Sequence, residues 1–117
     1  MEITVTFRHI DASESLKAYA EEKVSKMDKY FDFPVEAHIV LAVEKFRRSA
    51  DVTLNVNGTL IKGVIETEDM YSAIDQVMDK IEKQVKRYRE KMRDRRTETR
   101  KNETALGGAE ADEVTDI

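Results

Sequence analysis

The chain has no cysteine, no tryptophan, one proline and four glycines in 117 residues. Without cysteine there is neither a disulfide framework nor thiolate chemistry, which fits a reducing compartment. The two histidines, His9 and His38, are too few for the N/S ligand sets of a zinc or iron site, so no metal is expected. The phosphate-loop, dinucleotide and nucleophile-elbow patterns (GxxxxGKS/T, GxGxxG, GxSxG) are all missing. Carboxylates are plentiful, but no pair stands apart as general acid and base, so the chain does not read as an enzyme and implies no cofactor. No apolar run approaches the ~20 residues of a membrane helix. The start, MEITVTFRHI, lacks the basic and long apolar regions of a signal peptide. These absences leave a single soluble, cytoplasmic domain with no membrane association.

What is present is charge, and it is segregated. The chain totals −4. Residues 1–79 carry nine Lys or Arg against fifteen acids, net −6. Residues 80–101 carry eleven Lys or Arg against four acids, net +7. Residues 102–117 carry five acids and no base. A basic block inside an acidic protein points to a polyanionic partner, and the acidic end reads as a solvated, disordered tail.

Apolar periodicity gives the elements. EITVTFR alternates with Ile3, Val5 and Phe7 on one face, a half-buried strand. Asp11, with Glu14 three residues on, reads as a helix N-cap and its reciprocal partner. Leu16, Tyr19, Ala20, Val24, Met27, Tyr30 and Phe31 then share one arc at helical spacing, and the helix should stop near Phe31, before Pro34. Val35, Ala37, Ile39, Leu41 and Val43 alternate, as do Ala50, Val52, Leu54 and Val56. Asn57-Gly58 marks a tight hairpin into a further strand, TLIKGVIE. Thr67, Glu68 and Asp69 open a second helix, whose apolar stripe runs Ile74, Val77, Met78, Ile81, Val85, Tyr88 and Met92. Tyr71 at its start reads as a core or helix-edge aromatic.

The order β-α-β-β-β-α is an α+β fold. The first two strands should be parallel neighbours through a right-handed crossover, and the last three a meander. One apolar stripe per helix and one apolar sheet face put both helices on the same side of a four-stranded sheet. Residues 1–95 form the folded unit. Residues 96–117 are a charged helix extension followed by the acidic tail.

On the second helix, with Ile81 at zero, Lys80, Lys83, Arg87 and Lys91 fall at about −100°, −160°, −120° and −80°, a basic flank. Asp75, Asp79 and Glu82 fall opposite, at about +120°, +160° and +100°. Arg89 and Arg93 share the acidic side but lie further along. On the first helix Lys23 falls inside the apolar arc, where its ammonium should snorkel past the sheet edge. Lys26 borders that arc and Lys29 lies further out. If the helices run side by side, Lys23 and Lys26 extend the basic flank. A charged helix face is by default a solvated face; the +7 excess and its one-sided placement put polyanion binding on a level with that reading.

Several segments match a known pattern: YFD at 30–32, VLAVEK at 40–45, ADVTLNVNG at 50–58 and, most specifically, EDMYSAIDQVMDKIEKQVKRYREK at 68–91. Over residues 1–95 the chain resembles the ribosome hibernation-promoting factor family, which includes ribosome-associated inhibitor A. The fold implied by the resemblance is the same β-α-β-β-β-α, similar to a double-stranded RNA-binding domain. The function implied is binding to the small ribosomal subunit, free as 30S or within the 70S ribosome, in the channel of mRNA and of the A- and P-site tRNAs. That binding silences translation in stationary or stressed cells. Basic side chains on both helices would meet 16S rRNA, here Lys23 and Lys26 on the first, and Lys80, Lys83, Arg87, Arg89 and Lys91 on the second. Lys86 is an addition without a motif match, and Lys45 and Arg47, in the loop joining two strands, are secondary positions. Long members add a C-terminal dimerising domain for which this chain is too short. It therefore resembles the short forms, expected to be monomeric off the ribosome, which either work with a separate ribosome modulation factor or keep single ribosomes inactive. The alternatives are a generic duplex-RNA binder and a protein-interaction module whose charged helix meets an acidic protein.

Overall fold

The structure, a computed structural model, describes the backbone of residues 1–97 and the side chains through residue 93. Strands are β1 (Glu2–Arg8), β2 (Glu36–Glu44), β3 (Arg47–Val56) and β4 (Thr59–Thr67), and helices are α1 (Glu14–Ser25) and α2 (Met70–Thr97). They form one sheet in the order β1-β2-β3-β4, with β1 parallel to β2 and the other pairs antiparallel. The β-α-β-β-β-α order and the mixed sheet follow the apolar periodicity read from the sequence.

Strand alternation becomes burial. Val35, Ala37, Ile39 and Leu41, with Ala50, Val52, Leu54 and Val56, lie on the covered face and are at most 1% exposed. Side chains at the intervening positions, such as His38, Asp51 and Thr53, point to the uncovered face, because successive strand residues alternate. Against the covered face pack Leu16, Ala20 and Val24 of α1, Met27, and Ala73, Ile74, Val77, Ile81 and Val85 of α2. α1 lies over β1, and α2 over β3 and β4. Asn57 (φ 52°) and Gly58 (φ 88°) supply the two positive-φ positions of the β3–β4 turn, and Asn55 Oδ1 accepts the Gly58 N–H at 3.0 Å.

Local differences from the sequence reading have simple causes. The N-cap of α1 is Ser13, not Asp11: its extended backbone lets the hydroxyl accept the Leu16 N–H at 3.2 Å, and Glu14 already lies inside the helix. The helical path to Tyr30 is α-helix to Ser25 and then a 3₁₀ turn over Lys26–Tyr30, ended by extended Phe31. At the start of α2, Asp69 Oδ2 accepts the Ser72 N–H at 2.9 Å, the cap expected there.

Gly63, on the covered face of β4, has a structural reason. A Cβ there would meet Ile81 Cδ1 at 3.3 Å and Val77 Cγ2 at 3.5 Å, so glycine lets α2 lie close on the strand. The apolar stripe of α2 is fully buried only to Val85; Tyr88 is half-buried and Met92 is 38% exposed. The reason is length. The 28 residues of α2 span about 42 Å at 1.5 Å each, against about 30 Å for the nine residues of β4. The basic C-terminal part of α2 therefore projects beyond the sheet, helical through Thr97. The remainder of the expected tail, 98–117, lies outside the described residues.

Candidate functional site

The two helices run in the same direction. Tyr19 of α1 meets Asp75 of α2, and Tyr30, eleven positions on, meets Glu82. These contacts decide which flank of α2 faces α1. Both tyrosine hydroxyls donate to the carboxylates at 2.6 Å, Tyr19 to Asp75 Oδ1 and Tyr30 to Glu82 Oε2. Tyr71 packs edge-on against Tyr19 with ring centroids 4.9 Å apart, the helix-edge role expected of it. α1 thus lies along the acidic flank of α2.

The opposite flank of α2 overhangs the free edge of β4. Gln84 Nε2 donates to the Lys62 carbonyl at 2.8 Å, and Gln84, Arg87, Tyr88 and Lys91 line a shallow groove with Thr59, Leu60 and Ile61. Lys80, Arg87 and Lys91 therefore stand on the β4 side, and Lys83 on the outer crest of the helix. Lys23 and Lys26 do not extend this flank, as the sequence reading supposed; they stand across α2 from it. Nor does Lys23 snorkel past the sheet edge. Its Nζ reaches Asp75 Oδ1 at 3.4 Å and lies 5.3 Å from the Tyr19 ring centroid, because the carboxylate of the adjacent helix is the nearest anion.

A second group of cations surrounds the Tyr30–Glu82 bond. Lys26, Lys29 and Lys86 are near enough to act electrostatically on Glu82. Lys29 Nζ lies 5.3 Å from the Tyr30 ring centroid and the Arg89 guanidinium 5.7 Å from it. The cations named from the sequence thus form two banks on the helix layer: Lys23, Lys26, Lys86 and Arg89 at the junction of the helices, and Lys80, Arg87 and Lys91 over the β4 edge, with Lys83 between. No ion pair or hydrogen bond among the described residues joins Lys45 or Arg47 to either bank. They sit at the β2–β3 turn, at the end of the sheet where α2 begins, about 30 Å along the axis from Arg89. Arg47 belongs to β3 itself and pairs with Glu66 at 2.8 Å.

Tyr19 and Tyr30 reach carboxylates of α2, and Lys29 lies beside the Tyr30 ring, contacts that the sequence reading did not assign. The signal was there: two tyrosines in the apolar arc of one helix need partners for their hydroxyls, and the other helix has an acidic flank. The bonds shift the ionisation of the participants. Hydrogen bonds from Tyr19 and Tyr30 hold Asp75 and Glu82 below the ordinary carboxylate range. Those same bonds raise the two tyrosines, and the hydrogen bond to Asp75 raises Lys23.

Lys26, Lys80, Lys83, Lys86 and Lys91 enter none of the ion pairs found among the described residues. The described residues hold no cluster of three or more His, Cys, Asp or Glu able to bind a metal. No described helix is long and apolar enough to cross a membrane.

A mixed four-stranded sheet, covered on one face by two parallel helices that carry the cations outward, defines a one-sided basic α+β domain. Residues 3–93 match the family described as Sigma 54 modulation protein / S30EA ribosomal protein, and the chain belongs to that family. It is 34% identical over 93 residues to the ribosome hibernation promoting factor of Escherichia coli K12, covering 80% of this chain and 98% of that one. To the factor of the same name in Azotobacter vinelandii it is 33% identical over 95 residues, covering 81% and 89%. Among solved structures it resembles the N-terminal domain of Thermus thermophilus Protein Y, with TM-score 0.71 and 30% identity over 75% of this chain and 99% of that one. It also resembles a ribosomal subunit interface protein of Coxiella burnetii, with TM-score 0.66 and 27% identity over 75% and 97%.

Proposed function

We propose that this protein is a ribosome hibernation factor acting in the cytoplasm of resting or stressed cells. Residues 1–95 are its ribosome-binding unit. It binds the small subunit, as 30S or within 70S, along 16S rRNA in the mRNA and tRNA channel, and blocks translation by occupying that space. The observation that carries this reading is that Lys26, Lys80, Lys83, Lys86 and Lys91, all on the helix layer, enter no ion pair among the described residues of a domain whose relatives are named for ribosome hibernation. Lys26, Lys80, Lys83, Lys86, Arg87, Arg89 and Lys91 supply the phosphate contacts, and Lys23 joins them with a charge already shared with Asp75. Lys45 and Arg47, at the far end, serve as outlying contacts.

The mechanism needs no turnover, metal or cofactor. Rigid elements hold cations at fixed separations, so A-form phosphate geometry rather than base sequence is recognised. Each neutralised phosphate releases counterions, and affinity falls with salt. A separate modulation factor would decide whether ribosomes pair or remain single. Co-sedimentation with 30S and 70S particles at low and high salt tests the reading. Co-migration that weakens with salt supports it. Absence of co-migration at any salt, or equal affinity for random duplex RNA, rejects it.

A further inference from the structure

The two tyrosine–carboxylate bonds look equivalent but differ in what they do with lysine. Asp75 accepts the Tyr19 hydroxyl and also pairs with Lys23 at 3.4 Å, so that bond sits beside a consumed cation. The charges of Lys86, Lys29 and Lys26 each favour the ionised Glu82 carboxylate, yet Glu82 enters no ion pair among the described residues. Lys86 is four residues beyond it, the spacing at which a Glu and a later Lys ordinarily pair on a helix. Instead Glu82 Oε2 accepts a neutral hydroxyl from Tyr30, at 2.6 Å. The ring of the same tyrosine lies beside Lys29 and Arg89.

We propose that Tyr30 is a positioning residue for polyanion binding: its hydroxyl holds the Glu82 carboxylate in place, keeping Lys26, Lys29 and Lys86 available for phosphate. This rests on the ribosome-binding reading for its natural target and adds two residues to it, Tyr30 as the holder and Lys29 as one of the cations kept available. An acid in the midst of a binding surface would otherwise compete with the ligand for the same ammonium groups. A neutral donor satisfies it without spending a cation, and the aromatic ring adds a surface on which the cations rest.

Three variants separate this role from simple helix docking. Tyr30→Phe removes the hydroxyl and keeps the ring. Glu82→Gln removes the charge but keeps an oxygen that can accept from Tyr30. The double variant removes both. Each is measured by salt titration of 30S binding, by the salt needed for elution from heparin, and by thermal unfolding. In Tyr30→Phe the released carboxylate captures a lysine, so 30S affinity falls and the magnitude of the log–log salt slope drops by about 0.7–0.9, one phosphate contact. Glu82→Gln binds at least as tightly as the parent. The double variant, having no carboxylate to capture lysine, recovers parental affinity even though its melting midpoint stays lowered.

Unchanged binding in folded Tyr30→Phe overturns the proposal. So does a double variant as weak as Tyr30→Phe, which would make the hydroxyl a helix clasp alone. If the parent itself fails to bind 30S, the ribosomal reading falls. The heparin series then tests the positioning role separately, with Tyr30→Phe eluting earlier and the double variant restored if it holds. Parent-like elution of Tyr30→Phe, or an unrestored double variant, overturns it there.

Discussion

Lys23 and Lys83 are both lysines on the helix layer, but their surroundings separate them. Lys23 is held by Asp75 and the Tyr19 ring, whereas Lys83 is exposed and in no ion pair among the described residues. Lys83→Met should weaken 30S binding and reduce the salt slope by about one. Lys23→Met should change the slope less and lower the melting midpoint instead, since it leaves Asp75 without its cation. Paired binding and melting curves of the two variants check this. The carboxylates set a pH dependence whose sign is fixed. Asp75 and Glu82 are lowered in the fold from ordinary values of 3.8 and 4.5, so each adds stability that is present above its ordinary value. That stability is lost as pH falls through the lower folded value. Tyr19, Tyr30 and Lys23 are raised, so their share is present below 10.0 for the tyrosines and 10.5 for the lysine, and is lost as pH rises through their folded values. Denaturant midpoints should fall at both extremes, and the Asp75→Asn, Glu82→Gln double variant should lose less between neutral pH and pH below 3.8 than the parent does. The carboxylates and tyrosines were visible in the sequence as an acidic flank and an apolar arc. Their pairing was not, because a helical wheel gives angles on one helix and says nothing about its neighbour.

Among the elements, α2 carries both the core and the cations, so its seating matters for both. Ile81 is fully buried against Gly63 of β4. Ile81→Ala should cost about 2–5 kcal/mol by urea denaturation, through lost burial and the cavity left behind. Gly63→Val presses branched carbons onto Ile81 and Val77, and should destabilise by about 1–3 kcal/mol as an overpacked contact. Because α2 is then displaced from β4, the groove beside Arg87 and Lys91 should open and 30S binding weaken as well. An unchanged urea midpoint in Gly63→Val would show that the close approach of helix and strand is unimportant. The elements themselves were legible: alternation gave the strands, Asn57-Gly58 the hairpin, and the 3.6-residue stripes the helices. The cap was misplaced by two residues because Asp11 and Ser13 both suit a cap, and only the backbone path selects between them.

For the whole molecule, a net charge of −4 repels polyanions at long range while the helix layer attracts them close in. Binding should therefore be confined to one face. Reversing Lys80, Arg87 and Lys91 together to Glu should abolish 30S co-sedimentation and leave the circular dichroism spectrum intact, since none of the three is fully buried. Retained binding would remove the β4-side bank from the interface. The amino-acid sequence alone determined the order of elements, most residues of the core and the concentration of charge in residues 80–101, because periodicity and composition are local properties of the chain. The tertiary structure decided that α1 lies along the acidic flank of α2, that Lys23 is paired internally, and that Lys45 and Arg47 sit at the end of the sheet where α2 begins. Those are relations between elements distant in the chain, fixed by how two helices share one sheet face and by hydroxyls that find carboxylates more than fifty residues away.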